Sequence, residues 1–177
     1  VGVAIRRLQD DGAIRKAIVI DTDVHHGNGT AAMFRGDPLV FTLSIHQENN
    51  YPAYKPASTL DLPMDDRVED DEYLEALLPA VQRALEEFHP DLLFYIGGAD
   101  PFCEDQLGGL ELSKKGLMRR ERSVFELARR RGIPGATALA GGYARRVEDT
   151  VAIHVNTILA AGEVAAAYPA SSAAAGG

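Results

Sequence analysis

Cysteine is nearly absent from these 177 residues: Cys103 stands alone, which excludes an intramolecular disulfide framework and fits a reducing cytoplasm. Long apolar runs are lacking too, and none approaches the roughly 20 residues of a bilayer-spanning helix. The first residues do not have the charged-then-apolar layout of a signal peptide, although a chain that starts at Val1 leaves room for a leader ahead of it. Basic residues are outnumbered, 18 Lys and Arg against 26 Asp and Glu, for a formal charge of −8. That balance argues against a broad nucleic-acid-binding face. The expected partners are therefore neither nucleic acid nor membrane, and the expected location is cytoplasmic. No internal repeat is present. What remains is an ordinary globular composition, 46% apolar and 25% charged, at a length that suits one domain or part of a larger one.

Apolar runs alternate with amphipathic stretches. Residues 3–8 read as the end of a helix that closes near Gly12. Residues 18–20 are an apolar, β-branched strand, 30–34 a short helix and 39–45 a second apolar strand. Residues 47–70 are polar and proline-bearing and read as a long loop, which in a compact domain usually carries function. Residues 71–88 are amphipathic, with Leu74, Leu77, Leu78, Val81, Leu85 and Phe88 on one side; Pro79 predicts a kink or a later start. Residues 91–96 are a third strand. Ser113 is placed to N-cap a helix over 114–131, which Gly132-Ile133-Pro134 ends. Residues 136–140 form a fourth, small-residue strand and 147–161 the last helix. The Ala/Ser/Gly-rich end, 164–177, predicts a flexible tail. Strands alternating with helices indicate an α/β fold: a parallel sheet with helices on both faces.

Chemistry concentrates in Asp21-Thr22-Asp23-Val24-His25-His26-Gly27-Asn28-Gly29-Thr30, directly after the first strand. Strand alternation sends Asp21, Asp23 and His25 to one side, at the carboxyl end where open α/β sheets bind ligands. Carboxylate with imidazole suits a borderline divalent ion such as zinc, and Gly27 and Gly29 let the chain turn sharply afterwards. His26 points the other way and reads as a hydrogen-bonded packing residue. A single-metal hydrolase needs three protein ligands and an open position. The third ligand should come from another strand end, and Asp100, beyond Gly97-Gly98, is the candidate; the alternative is a turn aspartate ahead of Pro101. Tyr143 follows Gly141-Gly142 beyond the fourth strand, where a phenol can donate to a developing oxyanion; the alternative is a half-buried strand-end aromatic.

Four stretches in order, the one from Asp21, then Phe41-Thr42-Leu43-Ser44-Ile45-His46, Gly97-Gly98-Ala99-Asp100-Pro101 and Gly141-Gly142-Tyr143, resemble landmarks of the zinc-dependent histone deacetylase family of the arginase/deacetylase fold, its bacterial and class IV-like branches most of all. The resemblance covers residues 1–163. It implies a three-layer α/β/α domain with a mostly parallel sheet, incomplete here at the N-terminus, this chain being the C-terminal half of the catalytic domain. It implies Zn²⁺ on Asp23, His25 and Asp100, with Fe²⁺ as an alternative ion, and the removal of acetyl or longer acyl groups from an acyl-lysine protein or a small acylated amine. Tyr143 takes the oxyanion role. Asp21 orients a base histidine, the alternative being a ligand to a second metal, and Asn28 stands where many relatives carry Asp. Ser44 and Ile45 resemble a structural K⁺ site, and Phe34 and Val40 the backbone ligands of another. Tyr51, Gly142 and Leu107 resemble the acyl-lysine tunnel and its gatekeeper; a leucine, not an acidic residue, argues against polyamines. The family's adjacent histidine pair, its general base, has no counterpart, because the one His-His here is His25-His26. The chain alone is therefore expected to be a poor catalyst. Two other readings stand beside the deacetylase: an inactive metal-binding fragment or pseudoenzyme, and an arginase-like ureohydrolase.

Overall fold

Ala17-Ile18-Val19-Ile20 offers no polar face, and such a strand is stable only when both its faces are covered. In the computed structural model, which describes residues 1–169, this run is β1 (Ala17–Asp21), buried at every position. The other strands are β2 (Val40–Gln47), β3 (Leu60–Met64), β4 (Leu92–Gly97) and β5 (Gly135–Leu139). They form one sheet in the order β3-β2-β1-β4-β5, with every pairing parallel. The helices are α1 (Gly2–Asp10), α2 (Asn28–Met33), α3 (Asp70–Phe88), α4 (Lys114–Arg129) and α5 (Val147–Ala167). Alternation along β1 divides the core. Ile18 and Ile20 pack with Tyr73, Leu77 and Leu85 of α3 and with Leu117 and Val124 of α4. Ala17 and Val19 pack on the opposite side with Ile5 of α1 and with Phe34. The expected three-layer α/β architecture is what forms.

Four expectations need correction. The stretch 47–70 is not all loop, because β3 lies within it and pairs with β2 from Leu43 to Gln47. Leu60, Leu62 and Met64 alternate as a strand should, but Pro63 disguises the pattern. The proline is tolerated because β3 is an edge strand with only one ladder to support. The helix over 71–88 has no late start: α3 begins at Asp70 and runs through Pro79, which sits on its exposed side. The last helix extends past 161 to Ala167. Residues 164–167, assigned by composition to the tail, are therefore helical, and the tail from 170 onward lies outside the described residues.

The last correction concerns membranes. Among the described residues one helix, α5, is long and apolar enough to cross a bilayer, with 21 residues and a mean hydropathy of 1.3. Its inner face is committed to the domain. Ile153, Thr157, Ala160 and Val164 are buried, Asp149 pairs with Lys114, and Glu163 lies 3.5 Å from Arg122 of α4. Val151, Val155, Ile158 and Leu159 face outward.

The chain moves from β1 outward through β2 to β3, then returns to the other side of β1 for β4 and β5. The carboxyl ends of β1 and β4 are consequently a topological switch point, where connections diverge and leave a crevice.

Candidate metal centre

Two aspartate turns curl the chain as it leaves β1. Asp21 Oδ1 accepts the N–H of Asp23 at 3.1 Å, and Asp23 Oδ1 accepts the N–H of His25 at 2.9 Å, the local bonding that favours aspartate in turns. The His25 ring is thereby brought back over the strand end. Its Nδ1 lies 3.0 Å from Asp23 Oδ1 and 3.3 Å from Asp100 Oδ2. Asp100 arrives from β4 and is fixed when its Oδ1 accepts the N–H of Val24 at 2.9 Å. The loop after β5 closes the site. Gly141 donates its N–H to Asp23 Oδ2 at 2.9 Å and accepts the N–H of Ala99 at 2.6 Å. No side chain fits there, since a Cβ on Gly141 would overlap Asp100 Oδ2 and sit 2.8 Å from Asp23 Oδ2. Three strand ends are thus sewn into one cluster.

Asp23, His25 and Asp100 each present a donor atom, all within 4.8 Å of one another. The arrangement fits a cation. Asp100 Oδ2 is buried and makes no hydrogen bond of good geometry, because His25 Nδ1 is directed at Asp23. A buried carboxylate oxygen without a partner is costly, and a metal ion would satisfy it. Proton affinities say the same. The Asp100 carboxylate close by, and after it that of Asp23, raises the His25 imidazole to about 9. Burial raises Asp100 to about 6 and Asp21 to about 7. Without a cation the cluster gathers protons, and a divalent ion competes for the same lone pairs.

Of the remaining sequence candidates some lie beside this cluster and others away from it. Asp21 is buried directly beneath it, bonded to the Asp23 amide. Tyr51 lies on the outer side, 70% exposed, its ring centroid 6.4 Å from that of His25. Leu107 is also at the rim, its carbonyl accepting Asn50 Nδ2 at 2.8 Å. Gly142 packs against Thr150, Ala99 and His154, where a Cβ would lie 2.5 Å from Thr150 Cγ2. Tyr143 follows, half exposed. Asn28 opens α2, its N–H bonded to the His26 carbonyl at 2.7 Å. Ser44 is buried in β2 and its Oγ accepts the Gly27 N–H at 3.2 Å. Ile45 follows it in β2, whereas Val40, paired with Ala17 at the other end of the strand, and Phe34, at the end of α2, pack with Ile5 and Val19 and are not brought to Ser44.

His26 behaves as a packing residue. Its Nε2 is 3.1 Å from Asp61 Oδ1, and its ring meets that of His46 edge-on at 4.6 Å. His26, His46 and Asp61 also place donor atoms within 4.8 Å of one another. There the groups are engaged with neighbours, His46 Nδ1 with Ser44 Oγ at 3.1 Å and Asp61 Oδ2 with the Ser58 N–H at 2.9 Å, so the trio clasps β2 and β3 to the turn after β1.

Three residues escape the sequence reading. Asp105 accepts the N–H groups of Leu107, Gly108 and Tyr143; an aspartate two residues ahead of Leu-Gly-Gly is a turn signal that could have found it. Arg120 and Glu121 are buried within α4 along with Leu117, Val124 and Ala128. Their spacing puts both charges on the apolar stripe, which was the visible clue.

Comparison with known proteins agrees with this geometry. A histone deacetylase domain matches residues 1–159. An uncharacterised protein of Picosynechococcus sp. is 40% identical over 154 residues, covering 87% of this chain and 51% of that protein. Histone deacetylase 2 of Arabidopsis thaliana is 32% identical over 145 residues, covering 78% of this chain and 38% of its own. The chain thus spans about half, or less, of the relatives it matches. Among solved structures, an acetylpolyamine aminohydrolase from Burkholderia pseudomallei superposes with a TM-score of 0.78 at 24% identity, over 92% of this chain and 49% of that one, a likeness of fold. The HDA15 HD domain superposes at 0.74 with 25% identity, over 91% and 49%. With its family domain matched over most of its length and its strand ends converging on one carboxylate–imidazole cluster, this chain belongs to the histone deacetylase family.

Proposed function

We propose that this chain carries the metal-binding side of a zinc-dependent deacylase, which hydrolyses an acetyl or longer acyl group from a lysine-like amine. The observation that carries this reading is the convergence of Asp23, His25 and Asp100 at the switch point, with Asp100 Oδ2 buried and without a hydrogen bond. Carboxylates and an imidazole suit Zn²⁺, with Fe²⁺ as second choice. A bound ion supplies Lewis acidity toward the acyl carbonyl and the attacking water. The chain's own residues do the rest. Asp23 and Asp100 hold negative charge at the centre, and Asp21 below accepts the Asp23 N–H and steadies the turn that carries two of the ligands. Tyr143 supplies a phenol O–H for the oxyanion. Tyr51 and Leu107 form an apolar rim suited to an alkyl chain. Leu107 offers no carboxylate to a second ammonium, which favours acyl-lysine over acylpolyamine. Ser44 and the backbone about Ile45, Phe34 and Val40 are assigned to structural K⁺.

A second reading, metal binding without turnover, has its own support. A general base is needed, and three of the other four histidines are engaged elsewhere, His26 with Asp61, His46 with Ser44 and His89 with the Glu87 carbonyl, while His154 belongs to α5, behind Gly142. Zinc titration of the purified chain tests the site. One ion per chain, lost in Asp23→Asn and Asp100→Asn, is expected; absence of binding would sink both readings. An acetyl-lysine peptide assay on the chain extended N-terminally to its relatives' length then separates them. Acetate release abolished by Asp100→Asn supports the enzyme, and binding without release supports the inactive module.

A further inference from the structure

Among the described residues the largest fully buried side chain is a charged one, Arg120. Burying a guanidinium is costly unless its charge and donors are engaged; its Nε makes no hydrogen bond, so the partners of its two terminal nitrogens reveal what it does. Nη1 donates to the carbonyl of Thr22 at 3.1 Å, and Nη2 donates to the carbonyl of Gly98 at 2.7 Å and to Glu121 Oε1 at 2.6 Å. Thr22 lies between Asp21 and Asp23, and Gly98 stands two residues before Asp100. One planar group therefore holds both strand ends that carry the metal cluster, from below and across the switch point.

Other contacts at this seam are local to one pair of atoms. The Thr22 N–H bonds the Ile96 carbonyl at 3.0 Å, and the Val24 N–H bonds Asp100 Oδ1 at 2.9 Å. Gly141 also bridges the two loops, through the Asp23 carboxylate and the Ala99 N–H, but among the described residues it is the guanidinium that reaches carbonyls of both, from α4. Its fork is rigid and planar, so it fixes a separation as well as an attraction. Its charge also offsets the negative charge gathered above it, and it is among the groups that lower the proton affinity of Asp21. Glu121, itself buried, neutralises the arginine and is steadied by Thr157 Oγ1 at 3.4 Å.

We infer that Arg120 is the positioning residue of the metal centre, setting the distance between the Asp23–His25 loop and the Asp100 loop through its bonds to the Thr22 and Gly98 carbonyls. This rests on the metal-binding reading above. It assigns to α4 a function that none of the metal-facing residues supplies, since the arginine touches neither ion nor substrate.

Cobalt(II) is the probe, because its visible absorption reports coordination geometry directly. Two variants are compared with the wild-type chain. Arg120→Lys keeps the charge but not the fork. The double variant Arg120→Met with Glu121→Met removes the buried pair together, leaving no unpaired charge to unfold the protein. Each is checked for folding by circular dichroism and melting, and Leu85→Met, a fully buried change in the same core, serves as control. Both arginine variants, while folded, are expected to bind cobalt about 10–100-fold more weakly, the scale of losing a group that orients metal ligands. Their spectra at saturating cobalt are expected to differ in intensity and band position from those of the wild type and Leu85→Met. A folded Arg120→Lys with wild-type affinity and spectrum would overturn the assignment, and it decides the matter if the double variant does not fold. A wild-type chain that fails to bind cobalt overturns the metal reading itself, and with it the role of Arg120.

Discussion

The carboxylate of Asp105 accepts the backbone N–H of Tyr143 at 2.6 Å, while its other oxygen accepts the N–H groups of Leu107 and Gly108 at 2.8 and 3.0 Å. One side chain thus ties the loop bearing the phenol to the loop bearing the rim leucine. Asp105→Ala in the catalytically complete protein is expected to lower kcat by up to about 10²-fold, the scale of a misplaced catalytic group. Zinc stoichiometry should not change, because no atom of Asp105 belongs to the cluster. Metal analysis alongside steady-state kinetics on an acetyl-lysine peptide checks both halves of this expectation.

Tyr143→Phe removes only a hydroxyl from a half-exposed residue. If that hydroxyl meets the oxyanion, kcat falls by about 10²–10³-fold, the usual effect of one lost donor. Folding and metal affinity stay as they were. Unaltered turnover would take Tyr143 out of the chemistry.

Gly141→Ala attacks the cluster from the β5 side. The added methyl overlaps the buried oxygen of Asp100 and crowds Asp23, so zinc affinity should fall by about 10–100-fold, as for other disturbed ligand shells. Gly29→Ala is the matched control: it lies in α2 with nothing within 4 Å of its would-be Cβ. It should keep zinc affinity and gain up to about 1 kcal/mol of stability from a less mobile unfolded chain. Equal affinities in the two variants would reject the close approach at 141.

Asp91 provides a pH test remote from the centre. Its Oδ2 accepts the N–H groups of Arg15 and Lys16, each at 2.8 Å, and these bonds, that to Lys16 foremost, hold its carboxyl below the ordinary range. A folded-state value below the unfolded one means that the contribution is fully present above the unfolded value and lost as pH falls through the folded one. Asp91→Ala should therefore cost about 0.5–1 kcal/mol at neutral pH, a modest figure because the site is solvated and screened. The gap between wild type and variant should narrow only below about pH 4, the ordinary aspartate range. Urea melts from pH 7 to pH 3 measure it; a gap that widened on acidification would contradict the assignment.

Much of this arrangement was legible in the residues. Ile18 to Ile20 read as an interior strand, and Asp21, Asp23 and His25 beyond it pointed to a candidate site, although β1 stops at Asp21 and aspartate turns, not strand alternation, bring Asp23 and His25 together. Ser113 caps α4 as expected, its Oγ accepting the Gly116 N–H at 2.9 Å. Other features were hidden for physical reasons. Pro63 masks β3, since a strand that supports one ladder tolerates a proline that an interior strand would not. Pro79 sits in the middle of α3 because its ring faces solvent, and no linear pattern announces that. The partnership of Arg120 with Thr22 and Gly98 joins positions almost a hundred residues apart, and periodicity shows only that a charge lies on the wrong side of a helix, not what it reaches.

β5 ends the sheet with its outer edge uncovered, and four of its five residues, Gly135, Ala136, Ala138 and Leu139, are exposed. They are small or apolar and carry no charge to repel a visitor. Such an edge is a template that any extended chain can extend by one more rung. The same strand leads into Gly141, so whatever docks along it touches the segment that closes the metal cluster. The behaviour of this chain in solution will accordingly depend on how crowded it is. Dilute samples are expected to hydrate the edge, and concentrated ones to pair along it and perturb cobalt spectra from outside the cluster. A lysine in place of Ala138 should keep copies apart, and light scattering against concentration would follow the difference.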